Sequence, residues 1–293
     1  MVALVGALAV TAAPRVWGTL PSLDAVLAGA TSFDRHRPGE LGPEGGAARL
    51  PDSGARGGED RAAVKPSPSR EAADRAQRFA DSRAGTVSFA AIDSTGRMRS
   101  AGADRPYVSA SVVKAMLLAA ELRRLDAEGA TLDSTTEGVL SAMITYSDND
   151  AADTIYYRVG DAGLTDVAAR AGMEDFSVAG YWANAQITAE DMSRFFFRLD
   201  RVLGGAHEEF AKGLLGGAVE EQRWGIPAAA GDRWSVRFKG GWRSTELGQL
   251  THQAAELRRG GERIAIAVLT DGQPSQTYGQ QTVHGVADRL VPG

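Results

Sequence analysis

Ser109-Ala110-Ser111-Val112-Val113-Lys114-Ala115-Met116-Leu117-Leu118-Ala119-Ala120 reads as a turn or cap that runs into an apolar helix. Ser111 and Lys114 stand three residues apart at the start of that helix, a spacing that puts two side chains on one face within mutual reach. A serine at a helix N-terminus lies at the positive end of the aligned peptide dipoles, where a developing oxyanion is stabilised. A lysine one turn on can take the hydroxyl proton when burial or a neighbouring cation lowers its pKa. An N-cap serine followed by a surface lysine gives the same pattern, so the flanking sequence decides its meaning.

The chain has 293 residues, enough for one large domain or two modest ones, and its apolar content of 43% is ordinary for a globular protein. A formal net charge of -5, with no long basic run, argues against a nucleic-acid partner. There is no cysteine, which excludes a disulfide framework, thiol chemistry and Cys-ligated metal. His36, His207, His252 and His284 show no metal-ligand spacing, so neither a metal nor another cofactor is expected.

Val2 to Ala13 is a short apolar run ending near Thr11-Ala12-Ala13-Pro14. Its length fits a signal-peptide core and is short for a membrane span, although no Lys or Arg precedes it. Residues 1–18 are therefore read as a signal peptide or apolar N-terminal segment, and the protein as exported, with a membrane tether where that segment is retained. Residues 19–69, rich in Gly, Pro and Ala, read as a disordered linker that cannot bury enough apolar surface to fold. Residues 70–293 form the folded domain, expected to be a monomer.

Within that domain Arg70 to Arg83 has a helical apolar side. Thr86 to Ile92 and Arg97 to Ala101 make a hairpin around Asp93-Ser94-Thr95-Gly96. The Ser111 helix runs to Glu128 and ends at Gly129. Helices are predicted from Thr135 to Thr145, from an Asn149 or Asp150 cap through Tyr157, and over Gly163 to Ala171. Two more follow, from a Thr188 cap to Leu203 and from His207 to Leu215. The period then changes: Trp234 to Lys239, Leu247 to Leu257 and Arg263 to Thr270 read as antiparallel strands, with Gly260-Gly261 turning between the last two. A helix from Pro274 to Leu290 closes the domain. The fold class is α+β: an antiparallel sheet of N- and C-terminal strands flanked by a helical block.

Three motifs fall in one order. Ser111-Val112-Val113-Lys114 opens a helix, Ser147-Asp148-Asn149 lies at a helix junction 36 residues later, and Lys239-Gly240-Gly241 ends a strand. With these residues the chain resembles the penicillin-recognising serine hydrolases, and class A β-lactamases most closely, whose set is Ser-x-x-Lys, Ser-Asp-Asn and Lys-Thr-Gly. The resemblance extends from Arg70 to the C-terminus and includes Met143-Ile144-Thr145 and Arg223-Trp224-Gly225-Ile226-Pro227. It implies acyl transfer from a β-lactam or cell-wall peptide. Ser111 would be the nucleophile, Lys114 its base, Ser147 the proton relay and Lys239 the electrostatic partner of that relay. Asn149 would bind the substrate amide. Gly241 and Trp242 would shape the oxyanion hole, whose donors are the backbone N–H groups of Ser111 and Trp242, and Arg243 would contact the substrate.

Two departures stand out. Gly240 replaces the hydroxyl residue that would bind a substrate carboxylate, leaving Arg237, Arg243, Ser244 or Thr245 to take that role. The stretch Gly172 to Thr188 holds Trp182-Ala183-Asn184 where the family carries a Glu that activates the deacylating water, and Glu174 and Asp175 come early. The expectation is a serine hydrolase whose acyl-enzyme forms but whose release is impaired. The alternatives are a D-Ala-D-Ala carboxypeptidase-like wall hydrolase and a non-catalytic penicillin- or wall-binding module.

Overall fold

Helix α1 (Arg70–Asp81) begins where Ser69 Oγ accepts from the Ala72 backbone N–H at 3.1 Å, and it buries Ala72, Ala73, Ala76 and Ala80. The computed structural model describes residues 68–293; the segment read as a signal peptide and nearly all of the linker lie outside the described residues. Strands β1 (Thr86–Ile92) and β2 (Met98–Ala101) form the predicted hairpin. Its turn is tied by Asp93 Oδ1, which accepts from Thr95 N at 2.8 Å and from Arg97 N at 3.1 Å.

A short strand β3 (Tyr107–Val108) leads into the Ser111 turn and helix α2 (Lys114–Glu128), which ends at Gly129 with φ of 62°. There the absence of Cβ permits a left-handed cap. The helical block continues with α3 (Ser134–Ser141), a wide helical turn over Ala142–Tyr146, and α4 (Asn149–Ala171). The two helices expected either side of Gly160 are both present and meet in a kink at that residue, whose φ of 60° and ψ of -171° only glycine adopts readily. Strand β4 (Gln186–Ile187) pairs with β3, a two-stranded ladder too short to leave a sequence period. Helices α5 (Ala189–Phe197) and α6 (Leu199–Leu203) divide at Arg198 the single helix expected after Thr188, and α7 (Glu208–Gly216) and a short α8 (Ile226–Ala230) follow.

The C-terminal strands β5 (Ser235–Thr245), β6 (Gly248–Arg259) and β7 (Glu262–Asp271) precede α9 (Gln276–Leu290). The five-stranded sheet runs β2-β1-β7-β6-β5 and is antiparallel throughout, so the N-terminal hairpin joins the C-terminal strands as expected. Alternation along the strands serves two cores. Phe89, Ala91, Ala255, Leu257, Ile266 and Val268 pack with α1, α8 and α9. Ala90, Ala254, Ala265, Ala267 and Leu269 pack with the helical block. In that block Met116, Leu117, Leu118 and Leu122 of α2 are fully buried, each contributing roughly 2–3 kcal/mol of burial. Helix α2 is thus the buried axis of the block, and its N-terminus is held against edge strand β5.

Candidate active site

Ser111 lies in a tight helical turn, Ala110–Val113, and the α-helix proper starts at Lys114. This corrects the expectation that Ser111 opens the helix. In a tight turn of three residues per revolution, residues three apart stack on one side. Ala110 just before Ser111 has φ of 46°, a left-handed conformation that is costly for a residue with Cβ and concentrates at functional sites. The turn is pinned from behind. Ser109 N donates to Ala185 O at 2.8 Å, and Ser109 Oγ donates to Trp182 O at 3.2 Å. Ser111 is half-buried, and its Oγ hydrogen-bonds no other described residue.

The second motif is held by a strained bend. Ser147 closes the wide turn with φ of 60° and ψ of 35°, and Asp148 Oδ1 then accepts from Ala151 N at 2.7 Å. Asp148 is therefore the cap of α4, not Asn149 or Asp150; its extended backbone suits the cap, whereas Asn149 is already helical. Freed from capping, Asn149 Oδ1 accepts from Lys114 Nζ at 2.8 Å. Lys114 Nζ also donates to Ser147 O at 2.6 Å and reaches Ser147 Oγ at 3.4 Å. From the sheet side, Lys239 Nζ donates to Ser147 Oγ at 3.0 Å and to Gly240 O at 3.1 Å. Two buried amines thus converge on one hydroxyl.

Lys239-Gly240-Gly241 does not end its strand; it sits inside β5, with Lys239, Gly240 and Gly241 registered opposite Ala254, Gln253 and His252. Packing, not a turn, requires the glycine. A Cβ on Gly241 would lie 2.8 Å from Val112 N, 2.9 Å from Ser111 N and 3.2 Å from Ser109 O, so the strand backbone rests directly on the Ser111 turn. Trp242 follows, half-buried. Arg243 points to the opposite rim, where its Nη1 donates to Asn184 Oδ1 at 3.0 Å, and it does not join the amine cluster. His252 buttresses the arrangement from β6. Thr270 N donates to its Nδ1 at 3.1 Å, leaving Nε2–H to donate to Val108 O at 3.1 Å, three residues before Ser111. Sequence reasoning excluded His252 as a metal ligand and did not detect this support.

Burial shapes the titration of the cluster. Desolvation brings Lys114 from 10.5 down to about 8, with Asp148 and Asp153 opposing the change. Lys239, fully buried, lies well below its ordinary value because of desolvation and then the neighbouring Lys114. Among the described residues no carboxylate hydrogen-bonds to Ser111, Lys114, Ser147 or Lys239. The loop where a water-activating Glu was sought instead delivers Trp182, nearly fully buried, with its ring 4.9 Å from Lys114 Nζ. Asp153 Oδ1, one turn beyond Asn149, accepts from Trp182 Nε1 at 2.6 Å and fixes the indole. Glu174 pairs with Arg194 at 3.3 Å, and the backbone N–H groups of Glu174 and Asp175 cap onto Asp191. Among the described residues no group of three or more His, Asp or Glu side chains is placed to hold a metal ion.

Comparison with known proteins bears on the fold and the family. The protein LppW of Mycobacterium tuberculosis, named as a candidate lipoprotein, is 29% identical over 204 residues, or 65% of this chain; the match spans 64% of LppW, less than two thirds of its length. A β-lactamase from Sphaerobacter thermophilus superimposes over 77% of this chain and 100% of its own, with a TM-score of 0.66 at 19% identity. A class A β-lactamase from Mycobacterium abscessus covers 75% of this chain and 97% of its own, with a TM-score of 0.64 at 20% identity. At those identities the two structures establish the fold. The model of the beta-lactamase enzyme family matches residues 71–292, nearly all of the described chain, and on that match the protein belongs to this family.

Proposed function

We propose that this chain is a serine hydrolase acylated on Ser111 by a β-lactam or a related amide or ester, and that it releases the acyl group slowly. The observation that carries the reading is the convergence of Lys114 and Lys239 on Ser147 Oγ, beside a Ser111 turn against which the Gly241 backbone is packed. Ser111 Oγ attacks the carbonyl carbon and gives its proton to the free amine of Lys114. The oxyanion is received by the backbone N–H groups of Ser111 and Trp242, and one such donor contributes on the order of 3 kcal/mol to lowering the barrier. The carbon–nitrogen bond then breaks, and the proton passes from Lys114 through Ser147 Oγ to the departing nitrogen. Lys239 holds the Ser147 hydroxyl in line, and Asn149 offers its amide to the substrate once Lys114 turns toward Ser111.

Release needs a base for water, and the loop in which the family's Glu was sought brings the indole of Trp182 to 4.9 Å from Lys114 Nζ. The same feature suits a carboxypeptidase-like wall hydrolase, whose substrate is a peptide rather than a β-lactam. Export is supported by the apolar Val2 to Ala13 run and by the lipoprotein naming of LppW. Labelling with a fluorescent penicillin followed by peptide mass spectrometry tests the reading. An adduct on Ser111 that disappears in Ser111→Ala is expected; no adduct with any β-lactam or activated ester would overturn it.

A further inference from the structure

A groove of about 300 Å³ runs between α2 and α4, spanning the Gly160 kink, and lies at the lower edge of the volumes typical of small-ligand sites. Ala120 and Val159 give it a small apolar floor. The floor stays open because residue 163 is glycine: a Cβ there would lie 2.8 Å from Val159 Cβ and 3.5 Å from Ala120 Cβ. The walls carry four arginines, Arg123, Arg124, Arg158 and Arg170, and a single acid, Asp166. This is a local excess of cation on a chain whose net charge is -5.

The protein's own acids do not use up these guanidinium groups. Arg124 is fully engaged, giving Nε and Nη2 to Glu121 at 2.8 and 3.0 Å and Nη1 to Glu128 at 2.6 Å. The other three are not. Arg123 donates only Nε, at 3.4 Å to Asp166 Oδ2, and Arg170 donates only Nε, at 2.7 Å to the same oxygen. Arg158 uses Nη1 alone, for Glu121 at 2.9 Å and Thr136 Oγ1 at 3.3 Å. Among the described residues, both Nη atoms of Arg123 and of Arg170, and Nε and Nη2 of Arg158, have no acceptor. With side chains 23%, 31% and 47% exposed, Arg123, Arg158 and Arg170 are held by the groove and still reachable.

We infer that this groove is a binding site for a phosphate-bearing ligand. Guanidinium groups meet oxyanions through paired N–H bonds, and a phosphate has enough oxygens to take such bonds from more than one arginine at once. A carboxylate, with two oxygens, satisfies one such fork. The apolar floor suits the uncharged body of an organic phosphate. Binding here is reversible and electrostatic, and no covalent bond changes. The groove shares no residue with the cluster of Ser111, Lys114, Ser147 and Lys239, so the inference stands apart from the proposed acylation.

The test titrates the full chain with sodium pyrophosphate by isothermal titration calorimetry at pH 7, against sodium acetate at matched ionic strength. Pyrophosphate is expected to bind at least about tenfold more tightly than acetate, and to lose about tenfold or more in the double variant Arg123→Gln, Arg170→Gln, the scale of charge-assisted bonds removed. Ala127→Glu, at an exposed helical position lining the groove one turn after Arg123, supplies a competing carboxylate and should weaken binding as much without touching the core. Arg97→Gln, which changes an exposed arginine of the β1–β2 turn, should leave it unchanged. Co-sedimentation with phosphatidylglycerol vesicles, against phosphatidylcholine vesicles, separates the sources of phosphate. Sedimentation that is lost in Ala127→Glu assigns a lipid headgroup, pyrophosphate binding without sedimentation assigns a soluble phosphate, and either supports the site. Pyrophosphate binding that is absent, is matched by acetate, or is unchanged in both the double variant and Ala127→Glu overturns the inference.

Discussion

The pH dependence of acylation follows from the burial of Lys114. A lysine acts as a base only without its proton, and an ordinary side chain at 10.5 would be deprotonated in roughly 0.03% of molecules at pH 7. Burial brings Lys114 to about 8. The free amine then amounts to roughly 1% at pH 6, 9% at pH 7 and 90% at pH 9. The acylation rate of Ser111 should therefore climb about ninetyfold between pH 6 and pH 9 and flatten above that. Quenched-flow mass spectrometry across this range measures it, with Ser111→Ala correcting for hydrolysis of the probe. A profile that is flat, or that follows a group titrating near 4 to 5, would refute Lys114 as the base. The same displacement bears on stability. Because the folded-state value is depressed, the unfolded chain holds the extra proton between about 8 and 10.5, and stability rises with pH through that window. Below it, keeping the ammonium buried costs about 3 kcal/mol. Lys114→Met removes that cost and gives up hydrogen bonds to Ser147 O and Asn149 Oδ1 worth about 1 kcal/mol each. A dead enzyme that melts roughly 2–4 °C higher at pH 7 is expected. A variant that melts lower would refute the burial argument.

Other perturbations read other parts of the site. Gly241→Ala places a methyl group against three backbone atoms of the Ser111 turn, so a stability loss of about 1–3 kcal/mol is expected in denaturant melts. The same variant should acylate about a hundredfold more slowly in labelling rates, through displacement of an oxyanion donor. Trp182→Ala opens the space beside Lys114 and should release a Ser111 adduct at least about tenfold faster, while costing about 3–5 kcal/mol of stability. Trp182→Phe keeps a ring there but breaks the bond to Asp153, so its release rate should fall between the two. His252 is brought by burial from 6.5 to about 4, so the unfolded chain binds its proton first as pH falls. Stability should decline from pH 6.5 toward pH 4 by up to about 3 kcal/mol, and in His252→Gln that part of the decline should vanish from urea melts.

The fold was legible because separate parts of the chain agreed. The change from helical to alternating period after Trp234, the Gly260-Gly261 turn and the early hairpin together require a sheet that joins both ends of the domain. The cluster was legible through residue type and order, since few arrangements put a serine, two lysines and an asparagine at those separations. What escaped reading depends on contacts between distant segments. The two-residue ladder of Tyr107–Val108 with Gln186–Ile187 is too short to show a period, yet it carries the approach to Ser111. Asp148 was hidden as a cap because three consecutive residues are all capable of the role. Gly240-Gly241 looked like a strand end, since sequence does not reveal that the Ser111 turn lies against the strand. Trp182 read only as the occupant of a missing Glu's place; its bond to Asp153 and its stacking on Lys114 exist only after folding.

On the proposed function Ser111 is acylated readily and relieved slowly because no carboxylate among the described residues hydrogen-bonds the amine cluster, and Asp153 is held by the Trp182 indole. The lifetime of the acyl-Ser111 adduct, followed by intact-protein mass spectrometry after removal of excess β-lactam at pH 7, tests it most directly. An adduct that persists for hours is predicted. An adduct that clears within seconds would contradict the account, since it would require a base for water where the one carboxylate bonded to Trp182, Asp153, is engaged by the indole N–H.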